Sequence, residues 1–304
     1  MTALSRDRHR GCLLGLAAGD ALGTTVEFEP RGSFTPLEDM VGGGPFRLRP
    51  GQWTDDTSMA LCLAESIVET GWDPGDQMRR YVRWYREGHL SSTERCFDIG
   101  NITREALHRF EKTGNAFAGP TGEQTAGNGS IMRLAPVPMR FAHEPVLAGA
   151  RAAESSRTTH GAAVAVDACR LLCRLLVDAL VGVPKDELLA AGRYEAETAE
   201  ITAIADGSFH SLVADDLSAS GYVVHTLEAA LWALATSDDF RSGALRAVNL
   251  GNDADTTGAV YGQLAGAIYG AQGIPVAWRE RLTLHDTIVD LADRLHDLAA
   301  SDAT

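Results

Sequence analysis

Apolar residues in this chain recur mainly at spacings of three and four. Met59, Leu63 and Ile67, with Ala60 and Ala64 beside them, form a stripe that stops at Gly71. Met78, Tyr81, Val82 and Tyr85 form a second, opened by Asp73 and Pro74 and closed at Gly88. A third, Val260, Leu264, Ala267 and Ile268, runs to Gly270. That period predicts amphipathic helices, and an Asp followed by Pro supplies a cap with proline at the first helical position. The same reading predicts further helices near 9–22, 101–112, 145–156, 160–181, 184–191, 222–235, 239–249 and 284–299. Alternating strand patterns are almost absent, so the expected fold class is all-α, which removes the Rossmann and barrel scaffolds from consideration. No fixed-period repeat points to a solenoid. Irregular stretches fall at 24–52, 114–130 and 207–220; the first, rich in Gly and Pro, is expected to form a mobile loop over a site. None reads as a linker, and one domain over 1–304 is expected.

Composition narrows the partners more than the fold. The chain has 304 residues, 45% hydrophobic and 22% charged, ordinary for a soluble globule able to bury a sizeable core. A net charge of -14 argues against nucleic acid, whose binding depends on Lys and Arg neutralising phosphates. No apolar run is long enough to span a bilayer, and the short run from Cys12 to Ala18 leads into Gly19 and Asp20 instead of a cleavage site. The five cysteines are odd in number and lie mostly in apolar helical runs, so reduced, buried thiols in a cytoplasmic protein are expected. Cys169 and Cys173 sit one helical turn apart, without a second Cys or His pair to complete a metal site. No coiled-coil heptads appear, and a monomer without membrane partners is expected.

Two acidic clusters carry the most chemistry. WTDDTSMAL, from Trp53 to Leu61, places Thr54, Asp55, Asp56 and Thr57 at one helix start; GNDADTTGAVYG, from Gly251 to Gly262, places Asp253, Asp255 and Thr256 at another. The plain reading is a pair of N-caps. One cap needs one such residue, however, and crowded carboxylates repel unless protons or cations neutralise them. An all-oxygen donor set without Cys or His suits a hard ion, Mg²⁺ or Mn²⁺, better than zinc.

Other segments offer weaker signals. Glu27 and Glu29 follow GLAAGDALGTTV into the first irregular stretch, where a solvated loop carboxylate is the ordinary reading of either. In TAGNGSIMR the turn Gly127–Asn128–Gly129–Ser130 has free amides suited to a diphosphate, although it lacks a P-loop lysine and a preceding strand. RCFDIGNIT sets Asp98, Gly100 and Asn101 at a further helix start, where Asp98 alone is explicable as a cap. His160 opens the long helix expected over 160–181; a lone His there is more often structural than ligand-binding. No GxSxG, HExxH or paired CxxC supports a serine hydrolase or a zinc site.

In this order GDALGTTVEF, WTDDTSMAL, FDIGNIT, AGNGSIMR, TTH and GNDADTTGAVYGQLAGA resemble the ADP-ribosylglycohydrolases, in particular the dinitrogenase-reductase-activating glycohydrolase branch, from Gly11 to about Gly273. The resemblance implies a compact orthogonal helical bundle with a centre of two divalent cations, Mg²⁺ or Mn²⁺, that removes ADP-ribose from modified proteins. By position it implies Thr54, Asp55, Asp56, Asp253, Asp255 and Thr256 as metal ligands, and Glu27 and Asp98 as the catalytic carboxylates. It further implies Gly127, Asn128, Gly129, Ser130 and Met132 as the cradle of the diphosphate and distal nucleoside, with His160 lining that pocket and Gly100 and Asn101 beside Asp98. The Thr-Val-Glu-Phe context of Glu27 resembles the arginine-specific branch. A hydrolase of serine-linked or small-molecule ADP-ribose conjugates is the alternative, and an inert ADP-ribose-binding relative is a third reading.

Overall fold

The computed structural model describes residues 4–301. Among the described residues fourteen α-helices follow one another: α1 (Arg6–Gly23), α2 (Asp55–Thr70), α3 (Pro74–Glu87), α4 (Asn101–Thr113), α5 (Pro136–Arg140), α6 (Pro145–Thr159), α7 (Ala163–Leu180), α8 (Lys185–Leu188), α9 (Ala199–Ala205), α10 (Val223–Ala235), α11 (Phe240–Val248), α12 (Ala254–Gly273), α13 (Val276–Arg281) and α14 (His285–Ser301). No strand occurs among the described residues, only the isolated bridges Gly43 to Leu48 and Gly127 to Tyr222. The all-α expectation holds.

The long helices were visible because each carries an apolar stripe; α5, α9 and α13, seven residues or fewer, have too few turns to show one. Two boundaries differ from expectation. The helix expected over 160–181 starts at Ala163, and His160 instead terminates α6. Gly270 does interrupt α12, at φ +72°, but the chain resumes helical geometry as far as Gly273.

At the centre lie α1 and α12, antiparallel and buried on almost all sides, as helices apolar around their whole circumference must be. Glycines repeat every four residues on both, at 11, 15, 19 and 23 and at 258, 262, 266 and 270. Gly11 faces Gly266, Gly15 faces Gly262, Gly19 faces Gly258, and Gly23 faces Ala254. A methyl group added at any of these α1 positions would overlap the carbonyl of its partner. The two backbones therefore touch directly over four turns. Around the pair pack α2, α7, α10, α11 and α14, and Arg10 of α1 forks onto Asp293 of α14 at 2.7 and 2.6 Å.

The stretch 24–52 is fastened along its length. Asn249 brackets Leu37, accepting from its amide at 2.7 Å and donating to its carbonyl at 3.0 Å, and Arg31 donates to the carbonyls of Ala214, Leu217 and Leu250. All five cysteines are free thiols, four of them buried. No helix among the described residues is long and apolar enough to cross a membrane.

Because the close approach leaves no room for a side chain, Gly15→Ala or Gly262→Ala is expected to destabilise the protein by at least about 2 kcal/mol. Gly149→Ala, in α6 with nothing near the added methyl, should stabilise by about 0.5–1 kcal/mol through helix propensity. Denaturant unfolding of the three variants checks this; equal effects would refute the packing argument.

Candidate active site and carboxylate centre

The glycine-lined contact fixes where three helix ends meet. Gly19 against Gly258 sets the last turn of α1 beside the first turn of α12, and Asp20 follows Gly19. Asp20 is fully buried and accepts four hydrogen bonds from the start of α2: at Oδ1 from the Thr54 amide and hydroxyl, both 2.9 Å, and at Oδ2 from the Thr57 amide at 3.0 Å and hydroxyl at 2.6 Å. A carboxylate from another helix therefore caps α2. Neither Thr54 nor Asp253, the N-cap residues of α2 and α12, caps its own helix through its side chain. The plain cap reading of the acidic clusters fails, and Asp55, Asp56, Asp253 and Asp255 are free for other work.

The two clusters do come together. The Thr54 hydroxyl lies 2.9 Å from Asp20, 3.1 Å from Asp255 and 3.3 Å from Asp56. One hydroxyl proton cannot serve three carboxylates. Asp56 Oδ1, Asp255 Oδ1 and Glu27 Oε2 are buried without any hydrogen-bond partner, a costly state for a charged oxygen. Oxygens of Glu27, Asp98 and Asp255 lie within 4.8 Å of one another. Burial first, and then the neighbouring carboxylates, push Glu27 up to about 10 and Asp98 to about 7, and hold Asp55, Asp56 and Asp255 well above the usual range. Such a group of oxygens, short of donors and crowded with charge, fits a hard divalent cation. Glu27 and Asp98, expected to be catalytic, thus belong to the same cluster as the expected ligand Asp255.

The separate readings of the loop carboxylates resolve differently. Glu27 is only 4% exposed, against the solvated reading, whereas Glu29 is exposed. Asp98 is no cap, since Gly100 holds the N-cap position of α4; its backbone is left-handed, at φ +59°.

A cleft of about 540 Å³ opens over this cluster. Its walls include Glu27, Asp55, Asp98, Asp253, Asp255 and Thr256 on one side, and Gly100, Asn101, Gly127, Asn128, Gly129, Met132 and His160 on the other. Thr54 and Asp56 lie beneath the wall, buried. Asn128 joins the two sides, donating to Asp253 and to Thr226, each at 2.8 Å. The Gly127 turn is held by pairing with the chain before α10, where the Asn128 amide donates to Gly221 and the Val223 amide to Ala126. Ser130 departs from expectation: its hydroxyl points into the core, where it receives hydrogen bonds from Ser156 at 3.0 Å and the Cys169 thiol at 3.3 Å, so its side chain is not part of the wall.

The His160 ring packs against Gly127 and Gly129, where a methyl on Gly129 would collide with it. Thr159 bonds its Nδ1 at 2.8 Å. Burial, and then Arg133, lower its pKa to about 3, leaving a neutral imidazole at physiological pH. A second cleft, about 990 Å³, shares the lining residues Ile102, Gly127 and Gly221 and extends past Tyr222.

Three residues of evident consequence were not read from the sequence. Asp20 was signalled by a lone carboxylate in the otherwise uncharged run from Gly11 to Gly23. Arg133, completely buried, donates to the Gly129 carbonyl at 2.7 Å and to Thr159 at 2.6 Å while its guanidinium lies 4.7 Å from the Tyr81 ring centre; its signal was a lone charge in the apolar run IMRLAPVPM. Phe28 entered the sequence reading only as the last residue of the Thr-Val-Glu-Phe context of Glu27, with no role of its own.

The ADP-ribosylglycohydrolase family model matches residues 1–304. The chain belongs to that family. Among related proteins, the ADP-ribosylarginine hydrolase Tri1 of Pseudomonas putida is 47% identical over 96% of this chain and 79% of its own length. The ADP-ribosyl-[dinitrogen reductase] glycohydrolase of Rhodospirillum rubrum is 36% identical over 91% of each. A solved structure described as an ADP-ribosylglycohydrolase-related protein complex superposes with a TM-score of 0.86 at 46% identity, over 97% of this chain and 98% of that one. The four-residue glycine repeat, Asp20 and the carboxylate cluster described above are this family member's means of building one site from segments distant in sequence.

Without divalent ions the site should make stability fall as pH rises. Glu27 and Asp98 keep their protons in the folded chain to about 10 and about 7, against 4.5 and 3.8 ordinarily. The folded state thus binds more protons than the unfolded, so this contribution is complete below about pH 4 and disappears as pH climbs through 7 towards 10. In chelator, the unfolding midpoint is expected to drop from pH 5 to 8, to recover on adding Mg²⁺ or Mn²⁺, and to show a shallower slope in Glu27→Gln/Asp98→Asn, with Asp55, Asp56 and Asp255 supplying the remainder. A midpoint that rises over that range would contradict the assignment.

Proposed function

We propose that this protein is a metal-dependent hydrolase that releases ADP-ribose from mono-ADP-ribosylated protein by cleaving the N-glycosidic bond between ribose C1 and an arginine guanidinium. The observation that carries this reading is the Thr54 hydroxyl shared by Asp20, Asp56 and Asp255, at the floor of a cleft whose opposite wall is the Gly127–Gly129 turn. The relatives named for arginine-linked and dinitrogen-reductase-linked ADP-ribose support the linkage.

Thr54, Asp55, Asp56, Asp253, Asp255 and Thr256 would hold two divalent cations, Mg²⁺ or Mn²⁺. Bound there, such ions stabilise developing negative charge and acidify water. The chain's own groups do the rest. The amides of Gly127, Gly129 and Ser130, with Met132 and the neutral His160, receive the diphosphate and nucleoside, while the Asn128 amide is held by the Gly221 carbonyl. As the C1–N bond breaks, the carboxylates around Glu27 and Asp98 stabilise the positive charge building on the ribose ring. Water adds its oxygen to C1, and the proton it loses passes through the Glu27–Asp98 pair to the departing guanidine nitrogen, giving ADP-ribose and unmodified arginine.

The test uses two peptides, one ADP-ribosylated on arginine and one on serine, with Mg²⁺, with Mn²⁺ and with chelator. Release of ADP-ribose from the arginine peptide only, and only with a divalent ion, is expected. Asp56→Ala and Asp255→Ala should each lower divalent-ion affinity by calorimetry and reduce turnover at least 10³-fold, roughly the scale on which removal of a single electrostatic group acts, while remaining folded by circular dichroism. Preferred cleavage of the serine peptide would move the assignment to the other linkage; ADP-ribose binding without hydrolysis of either would mark an inert binder.

A further inference from the structure

Next to Glu27 the cleft carries an apolar side chain in a position that burial does not explain. Phe28 is 65% exposed, yet it lines the same cleft as Glu27 and Asp98. Its backbone is left-handed, at φ +64°, a conformation bulky side chains rarely adopt and one that persists only where surrounding structure enforces it. The enforcement is visible: the Phe28 amide donates to the Asn252 carbonyl at 2.7 Å, and the Asn252 amide donates to the Glu29 carbonyl at 2.8 Å. This reversal turns Glu27 inward to the carboxylate cluster and Phe28 outward to the mouth. Behind Phe28 stands Phe46, ring centres 6.3 Å apart and nearly perpendicular, and behind Phe46 stands Phe97 at 5.1 Å. Phe97 immediately precedes Asp98. Each of the two carboxylates thus has a phenylalanine as its chain neighbour, and Phe46 bridges the two rings.

A strained backbone that holds an aromatic ring in solvent beside buried acids is arranged for a ligand that is flat, cationic and partly dry. The guanidinium of arginine has that chemistry: its plane stacks on aromatic faces while its N–H groups reach carboxylates at the edge. We propose that Phe28, supported by Phe46 and Phe97, is the platform on which the acceptor arginine's guanidinium lies, making it a residue that selects the linkage without taking part in bond cleavage. The inference rests on the arginine-linked reading above and extends it to the acceptor side of the scissile bond. A serine acceptor, neutral and not planar, gains nothing from such a ring.

The test compares wild type with Phe28→Ala, Phe28→Leu and Phe28→Tyr on the arginine-linked peptide, separating kcat from KM, with free ADP-ribose affinity measured by calorimetry. Phe28→Ala and Phe28→Leu are each expected to lose roughly 3- to 30-fold in kcat/KM, the range set by cation–π strengths, and Phe28→Tyr to stay within about 2-fold, as the quadrupole argument requires. ADP-ribose affinity should be unchanged in all three. Full retention of activity in Phe28→Ala overturns the proposal, as does equal activity of Phe28→Leu and wild type, which would reduce the ring to apolar bulk. A parallel loss of ADP-ribose affinity would assign the ring to the sugar nucleotide instead and likewise overturn it. Failure of the wild type itself to cleave the arginine peptide is a separate result, which refutes the linkage reading and removes the acceptor this platform requires.

Discussion

The site depends on two helix backbones in direct contact. With side chains between them, helix axes sit roughly 8–10 Å apart; the glycines of α1 and α12 remove those side chains on both faces, turn after turn. Small residues at four-residue spacing are best known as the means by which helices approach closely in membranes, and here the same device operates between the two central helices of the fold. Its product is placement. Once Gly19 and Gly258 touch, the end of α1 and the start of α12 have no freedom to slide, so Asp20 and Asp255 are held within reach of one threonine hydroxyl. A wider, side-chain-filled interface would tolerate rotations that carry those oxygens apart. The same helix reaches the other wall of the cleft, for Gln263 of α12 donates to the carbonyls of Ile131 and Met132 at 3.1 and 2.9 Å.

Asp20 shows how a structural and a chemical role divide among similar residues. Burial holds its pKa above the usual carboxylate range, and its four donors, which favour the charged form, offset part of that loss of water. In satisfying the start of α2 it releases the α2 carboxylates from capping. Asp55, Asp56 and Asp255 have no comparable set of donors, and burial followed by the neighbouring carboxylates holds their pKa well above the usual range; a cation among them would favour the charged form. The helix starts of α2 and α12 also direct positive dipole ends at the cluster, which lessens its repulsion without abolishing it.

Much of this was legible in the sequence, for identifiable reasons. Helices with several turns show a stripe, and Asp55, Asp56, Asp253 and Asp255 stood out because they exceed what two caps require. The six ordered motifs indicated the family. What stayed hidden was of another kind. The glycine repeat reads as a loss of helix propensity until the partner helix is known, so its meaning lies in the pairing and not in either segment. His160 ends one helix instead of beginning the next because α7 takes its first turn from Ala163, and the residues between, Gly161 and Ala162, carry no strong cap to mark the boundary. The inward turn of Ser130 depends on Ser156 and Cys169, which lie on other helices. Burial of Glu27 beside exposure of Glu29 follows from a left-handed residue between them, a backbone feature that Phe would not suggest.

Charge sets the remaining constraint. The cleft wall bears five carboxyl side chains and, among the described residues, no Lys or Arg, so an anionic diphosphate approaching it would be repelled by the unneutralised cluster. Two sources of positive potential are available. Under the proposed function, cations at the floor would cancel the acids nearest the ribose, and substrate affinity would then depend on metal occupancy as well as on chemistry. The other is Arg133, buried under the Gly127–Gly129 turn with only neutral partners; among the described residues no carboxylate lies within ion-pairing distance of it. An unpaired guanidinium in a low-dielectric core projects its field further than a surface lysine does. Placed behind the turn, under the proposed function it would draw a diphosphate towards the amides without touching it, and it adds to burial, the larger cause, in lowering the pKa of His160. A lysine in the cleft itself would pair with the carboxylates; a guanidinium behind the Gly127–Gly129 turn leaves them unpaired, which is the arrangement that the proposed diphosphate and cation sites require.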